Sequence, residues 1–248
     1  MPVPRGLRIV WQEAKLRIMK ILDSLSGQFT LSQKEALARW EAAYLRFETP
    51  EQEIRKFVRR LRRMGADKWP RDSEIVELFC GRGNGLHALE QLGFTRLEGV
   101  DLSGRLLAQY RGKAKCYEGD CRELPFADRS KDILIVQGGL HHLPNLPEDL
   151  EKTLAEMHRV LRKDGRVMIV EPWSTPFLTF AHIISENSVT RRLWNKLDAM
   201  ATMHQYERRT YLQWLERPKE IYGLAHSRFT PVKESFAWGK WSFLGKPA

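Results

Sequence analysis

Between residues 75 and 171 short apolar runs alternate with helical patterns, and this alternation restricts the chain to a narrow set of folds. Strands are predicted at 75–78, 97–101, 114–117, 132–137 and 167–171. Helices fall between them at 86–92, 105–110 and 150–161, the first stopped by Gly93 and the last by Lys163-Asp164-Gly165. Strands joined through helices run parallel, with helices on both faces and ligands beyond the strands' carboxyl ends. Two further runs, 232–238 and 241–244, flank Gly239-Lys240 and read as a β-hairpin. The expectation is an α/β fold: a doubly wound, mostly parallel sheet of seven strands ending in an antiparallel pair.

Two segments lie outside that core. Residues 1–72 read as an N-terminal helical cap, with Ser32 and Glu35 spaced as a capping box and Thr49-Pro50 opening a helix that ends near Met64-Gly65. Trp40, Tyr44 and Phe47 fall on one helical face. Residues 73–173 form the core, 174–228 a helical insertion placed to act as a lid, and 229–248 the hairpin that completes the sheet. The net charge of +10 is divided as +7 before residue 73, −2 in the core and +5 after it. Basic flanks attract anions without identifying one, and solvated helix faces are their commoner use.

No apolar stretch approaches the ~18 residues of a membrane span. Arg5 and Arg8 are followed by Trp11-Gln12-Glu13 and not by an apolar leader core, so a cytoplasmic protein is expected. The three cysteines, Cys80, Cys116 and Cys121, form no CxxC pair and suggest neither a disulfide framework nor a metal site.

The strongest local signal is the run from Glu77 through Phe79, Cys80, Gly81, Arg82 and Gly83 to Gly85, where the first strand passes into a helix. Glycines there let the backbone turn sharply and let a ligand lie against it. Gly83-Asn84-Gly85-Leu86-His87-Ala88 also satisfies a loose dinucleotide fingerprint, so NAD is a real alternative. Asp101, ending the second strand, is placed to accept ribose hydroxyls, a geometry common to both ligands. Asp120, just past the third strand, is placed to accept from an exocyclic amine, which fits an adenine edge.

On these motifs the stretch from about Glu74 to Trp173 resembles the class I S-adenosylmethionine (SAM) dependent methyltransferases, in particular the branch of menaquinone, ubiquinone and other small-molecule enzymes. The resemblance implies a Rossmann-like core that binds SAM and releases S-adenosylhomocysteine. It implies that Glu77, Gly81 and Gly83 hold the amino-acid end of SAM, Asp101 the ribose and Asp120 the adenine, with Phe79, Cys80, Leu102, Cys121, Gln137 and Gly138 lining the same site. One departure is visible: the family usually has glycine where this chain has Phe79.

His141 and His142 follow the fourth strand, where the methyl group points in this fold, and either is a candidate base, since imidazole titrates near neutrality. A capping or packing role is the competing reading. Trp173, His182 and Tyr206 are candidates for the acceptor wall, with His204 beside them. The expected activity is methyl transfer to an oxygen or nitrogen of a small molecule. The alternatives are an RNA methyltransferase using Arg55, Lys56, Arg59, Arg60, Arg62 and Arg63 on phosphates, a SAM-binding subunit without catalysis, and an NAD enzyme.

Overall fold

Along β-strands successive side chains face opposite sides, and here both sides are apolar: Ile75, Ile133 and Met168 face one way, Val76, Leu134 and Ile169 the other. Such a sheet needs cover on both faces. The computed structural model describes residues 39, 42–179 and 195–248 and supplies that cover. The strands are β1 (Ile75–Leu78), β2 (Leu97–Asp101), β3 (Lys115–Glu118), β4 (Lys131–Gln137), β5 (Leu161–Pro172), β6 (Phe229–Ala237) and β7 (Lys240–Pro247). They lie in the order β3-β2-β1-β4-β5-β7-β6. β1 to β5 pair in parallel, while β7 is antiparallel to both β5 and β6. The chain steps outward from β1 to β3 and then returns to the far side of β1. The carboxyl ends of β1 and β4 therefore border the switch point where open α/β sheets bind ligands.

Helix α1 (Pro50–Arg63) has the cap its sequence specifies: Thr49 Oγ1 accepts from the Gln52 amide, the Gln52 side chain accepts from the Thr49 amide, and Pro50 takes the first turn. Its Phe57 and Leu61 pack with Leu86 and Leu89 of α2 (Asn84–Gln91) on the first face. After the short α3 (Gly104–Leu107), α4 (Glu148–Val160) covers the second face together with α6 (Pro218–Arg228) and the end of α5 (Asn195–Glu216). Trp214 of α5 is buried there, and its Nε1 donates to the Pro172 carbonyl at 2.8 Å.

The differences from expectation are local. α3 is shorter than the predicted helix, and α4 stops at Val160 because Leu161 already pairs with Lys131 in the sheet. Lys163 to Gly165 consequently lie within β5 beside a register shift and do not close the helix. β6 begins at Phe229 and contains a second irregularity between Pro231 and Lys233. The Ser32 capping box, Trp40 and His182 lie outside the described residues. His204 and Tyr206 lie on α5, but their side chains are outside the described ones.

Candidate cofactor and acceptor site

At the end of β1 the backbone turns through three left-handed residues, Phe79 (φ +56°), Gly81 (φ +53°) and Gly83 (φ +81°), the last opening α2. Glycine adopts this conformation freely, whereas a side chain is strained in it. The position where the family keeps glycine is thus one where the backbone asks for it, and Phe79 occupies it at a steric cost. Its ring lies over Gly139, where an added Cβ would come within 2.2 Å of the ring. Glycine is also required at Gly85, whose Cβ would stand 1.8 Å from Glu77 Oε1.

Glu77 lies beneath that helix start, almost wholly buried. Gln137 Nε2 donates to its Oε1 at 3.2 Å, while Oε2 is buried without a partner. Burial pushes its pKa up to about 8, against the Gln137 hydrogen bond and with help from nearby Glu53. Arg60 of α1 reaches the same place, donating from Nη1 to Gln137 Oε1 at 3.0 Å. Burial lowers its pKa to about 10. The basic run on α1 therefore divides: Arg55, Arg59, Arg62 and Arg63 are exposed, whereas Lys56 and Arg60 turn inward, which removes two cations from the phosphate face considered for RNA.

The two expected nucleoside acids differ in what they hold. Asp101 accepts from the Gly81 amide through Oδ2 and from the Ser103 amide through Oδ1, both at 2.8 Å, and so braces the glycine turn against β2. Leu102 beside it is 71% exposed, an apolar side chain at the rim. Asp120 takes the Arg122 guanidinium on both oxygens, and Arg122 continues to Asp149 at 2.7 Å. That guanidinium holds the Asp120 carboxyl below the usual carboxylate range. Cys80 and Cys121 are buried, Cys80 against Gly99 and Cys121 with its sulfur 3.5 Å from Thr153 Oγ1.

Gly138 (φ +85°) turns the chain from β4 into a single 3-10 turn, Leu140–His142. Three donors there converge on Glu171 at the end of neighbouring β5. Gly139 N and Leu140 N reach its Oε1 at 2.8 Å, and His141 Nδ1 its Oε2 at 2.7 Å. Glu171 is fully buried and His141 nearly so. A carboxylate on Nδ1 fixes the proton there and leaves the Nε2 lone pair. His142 stacks on His141 with ring centroids 4.0 Å apart, and surrounding protein together with His141 holds its pKa well below the usual imidazole value.

Two elements lie over this edge. Tyr211 of α5 meets the His141 ring edge-on at 5.9 Å, and Glu207 Oε1 is 3.9 Å from His142 Nε2. Residues 42–47 form a helical turn from which Tyr44 donates to Glu53 and stacks under Arg82. Arg46 joins the two covers through Asp198 of α5 at 3.1 Å. Trp173 packs instead on Trp241 and Phe236 of the hairpin, each at 5.4 Å between centroids.

Reasoning from the residues alone named Arg60 only as a phosphate contact and missed Glu171, Glu207 and Tyr211. Only Glu171 had a readable signal, an acid ending the strand that neighbours the histidine-bearing one. The other three depend on how helices pack.

A mostly parallel sheet with its order reversed between β1 and β4 and an antiparallel final strand is a Rossmann-like arrangement, and it carries acids within β1 (Glu77), at the end of β2 (Asp101) and after β3 (Asp120). Residues 76–169 match the family model described as a methyltransferase domain. Over 130 residues the chain is 31% identical to the ubiquinone/menaquinone biosynthesis C-methyltransferase UbiE of Geotalea daltonii, covering 47% of this chain and 52% of that protein. The chain spans about half the length of the curated relatives it matches. Among solved structures, the PH0226 protein of Pyrococcus horikoshii aligns with a TM-score of 0.60 at 18% identity, over 82% of this chain and 96% of that one. A putative SAM-dependent methyltransferase of Methanococcus maripaludis aligns at 0.59 and 13%, over 90% and 96%. These likenesses show the fold. No helix among the described residues is long and apolar enough to cross a membrane.

Proposed function

We propose that the chain binds SAM across the carboxyl ends of β1, β2 and β3 and transfers its methyl group to an oxygen or nitrogen of a small molecule held beside His141. The observation that carries this reading is Glu77 Oε2, a buried oxygen without a partner at the switch point. An α-ammonium group matches it. Arg60, linked to Glu77 through Gln137, offers a guanidinium to the carboxylate of the same amino-acid end. Phe79, Cys80, Gly81, Gly83 and Gly138 would line that end, Asp101 and Leu102 the ribose, and Asp120 with Cys121 the adenine.

SAM supplies a methyl group on a sulfonium that is already a good leaving group. What remains for the protein is to align an acceptor and to move one proton. His141 suits the proton transfer, because Glu171 holds Nδ1–H. Nε2 then takes the proton of the acceptor's O–H or N–H, and Glu171 faces the resulting imidazolium. His142 lies against this ring. The helical covers, 42–47 and α5, would act as the lid over the acceptor. The relative's name speaks of C-methylation; a phenolic acceptor would first lose its O–H proton to the same Nε2, the ortho carbon would then take the methyl, and the hydrogen on that carbon would leave as a proton as the aromatic ring re-forms. The label position in product made with methyl-labelled SAM separates O, N and C transfer.

The first test is calorimetric titration with SAM, S-adenosylhomocysteine and NAD. Saturable binding of the first two, abolished by Asp101→Ala, is the expected result; binding of NAD alone would overturn the proposal. The same titration offers a second readout. With a pKa of about 8, Glu77 keeps its proton at pH 7, and pairing with an ammonium drives it off. Up to about one proton per cofactor should be released, seen as a binding enthalpy that varies with the buffer's ionisation heat, and Glu77→Gln should remove that variation. His141→Gln should lower kcat by about 10²- to 10⁴-fold with SAM affinity unchanged. An unaltered kcat would return the pair to a packing role.

A further inference from the structure

Nothing in the residue spacing points to a metal, since the cysteines are unpaired in pattern and the histidines have no ligand spacing. The fold nevertheless brings His141 and His142, after β4, to Glu207 on α5, 65 residues further along the chain from His142. One donor atom from each of the three lies within 4.8 Å of the others. We propose that this triad is a binding site for a divalent transition-metal ion of the zinc type, two imidazoles and one carboxylate with further positions open to solvent or ligand.

Four features support it. First, the donor set is nitrogen and carboxylate oxygen, which suits borderline ions such as Zn2+ and its substitute Co2+ and disfavours Mg2+, which prefers oxygen ligands throughout. Second, His141 is already oriented as a ligand: Glu171 binds its Nδ1 at 2.7 Å and two backbone amides fix Glu171 in turn, leaving Nε2 as the donor nitrogen. Histidines that bind metals commonly pass their other N–H to a carboxylate in this way. Third, His142 and Glu207 face each other at 3.9 Å, beyond hydrogen-bond distance but close to what a shared ion spans. Fourth, the adjustment required is small. Donors around a four-coordinate ion lie about 3.3 Å apart for metal–ligand bonds of ~2.0–2.2 Å. His142, with its side chain 39% exposed, has room to rotate, while buried His141 stays fixed.

The consequence for the site is specific. An ion on Nε2 of His141 occupies the lone pair that would otherwise take the acceptor's proton, so metal binding and base catalysis by this ring exclude each other. The metal site does not depend on the cofactor reading, and its test is run without SAM.

The experiment is a Co2+ titration of the chelator-treated full chain, followed by visible absorption, with Zn2+ as competitor and Mg2+ as control. Expected are one Co2+ per chain, the visible bands of a four- or five-coordinate ion, displacement by one equivalent of Zn2+ and none by Mg2+. His142→Ala and Glu207→Gln should each weaken Co2+ binding at least tenfold, and Glu171→Gln about 10- to 100-fold through the loss of ligand orientation. Should His142→Ala fail to fold, Glu207→Gln, which keeps the side-chain shape, carries the test. Absence of a stoichiometric spectrum, or equal affinity in Glu207→Gln and the parent chain, overturns the proposal.

Discussion

At Phe79 two demands on one residue conflict. The backbone sits at φ +56°, which favours glycine by about 1–2 kcal/mol over a residue with Cβ, yet the ring fills space over Gly139 and packs against the core. Removing the ring forfeits packing in any variant, but only glycine also relieves the backbone. Phe79→Gly should therefore be more stable than Phe79→Ala by about 1 kcal/mol in denaturant melts. The reverse order would mean that the turn is not left-handed in solution. Gly139→Ala should be destabilising because its Cβ meets the ring, and Phe79→Ala should offset part of that loss, a coupling that a double-mutant cycle measures. The sharp turn at Gly81 and Gly83 was legible because left-handed backbone calls for glycine locally. Glu171 was not singled out, since its role arises only when β5 pairs beside β4.

Among the elements, α1 shows how far local rules reach. Its cap, its proline and its end near Met64 follow from the sequence, and Thr49→Ala should cost about 1 kcal/mol of stability by the loss of the capping box. Which face turns inward was not legible, for the helix is rich in arginine and only packing on α2 and Gln137 assigns Arg60 to the interior. Under the proposed function, Arg60→Ala should weaken SAM binding measured by calorimetry, whereas Arg59→Ala on the exposed face should leave it unchanged. Element boundaries were displaced where tertiary pairing competed with local signals. Leu161 leaves the helix for β5 because Lys131 is there to pair with it.

For the molecule as a whole, two buried ionisable groups set opposite responses to pH. Glu77 has an ordinary pKa of 4.5, raised to about 8 in the fold, so between these values the native state holds a proton that the unfolded chain has lost. Stability falls as pH rises through that window, by at most ~1.4 kcal/mol per pH unit for one group. Lys240 moves from 10.5 down to about 8, through burial and the neighbouring Arg60 and Lys56, so above pH 8 the unfolded chain holds the extra proton and stability rises. Urea unfolding from about pH 5.5 to 10 should register both contributions: Glu77→Gln should flatten the lower limb and Lys240→Met the upper. The sheet's two rims have a different consequence. β6, at one end, carries Pro231, which has no amide hydrogen to donate, next to a break in register, and β3, at the other, is only four residues long and begins with Lys115. Neither offers a straight template for another strand. Among the described residues each rim thus discourages strand addition, which favours contacts between copies of the chain made side chain to side chain.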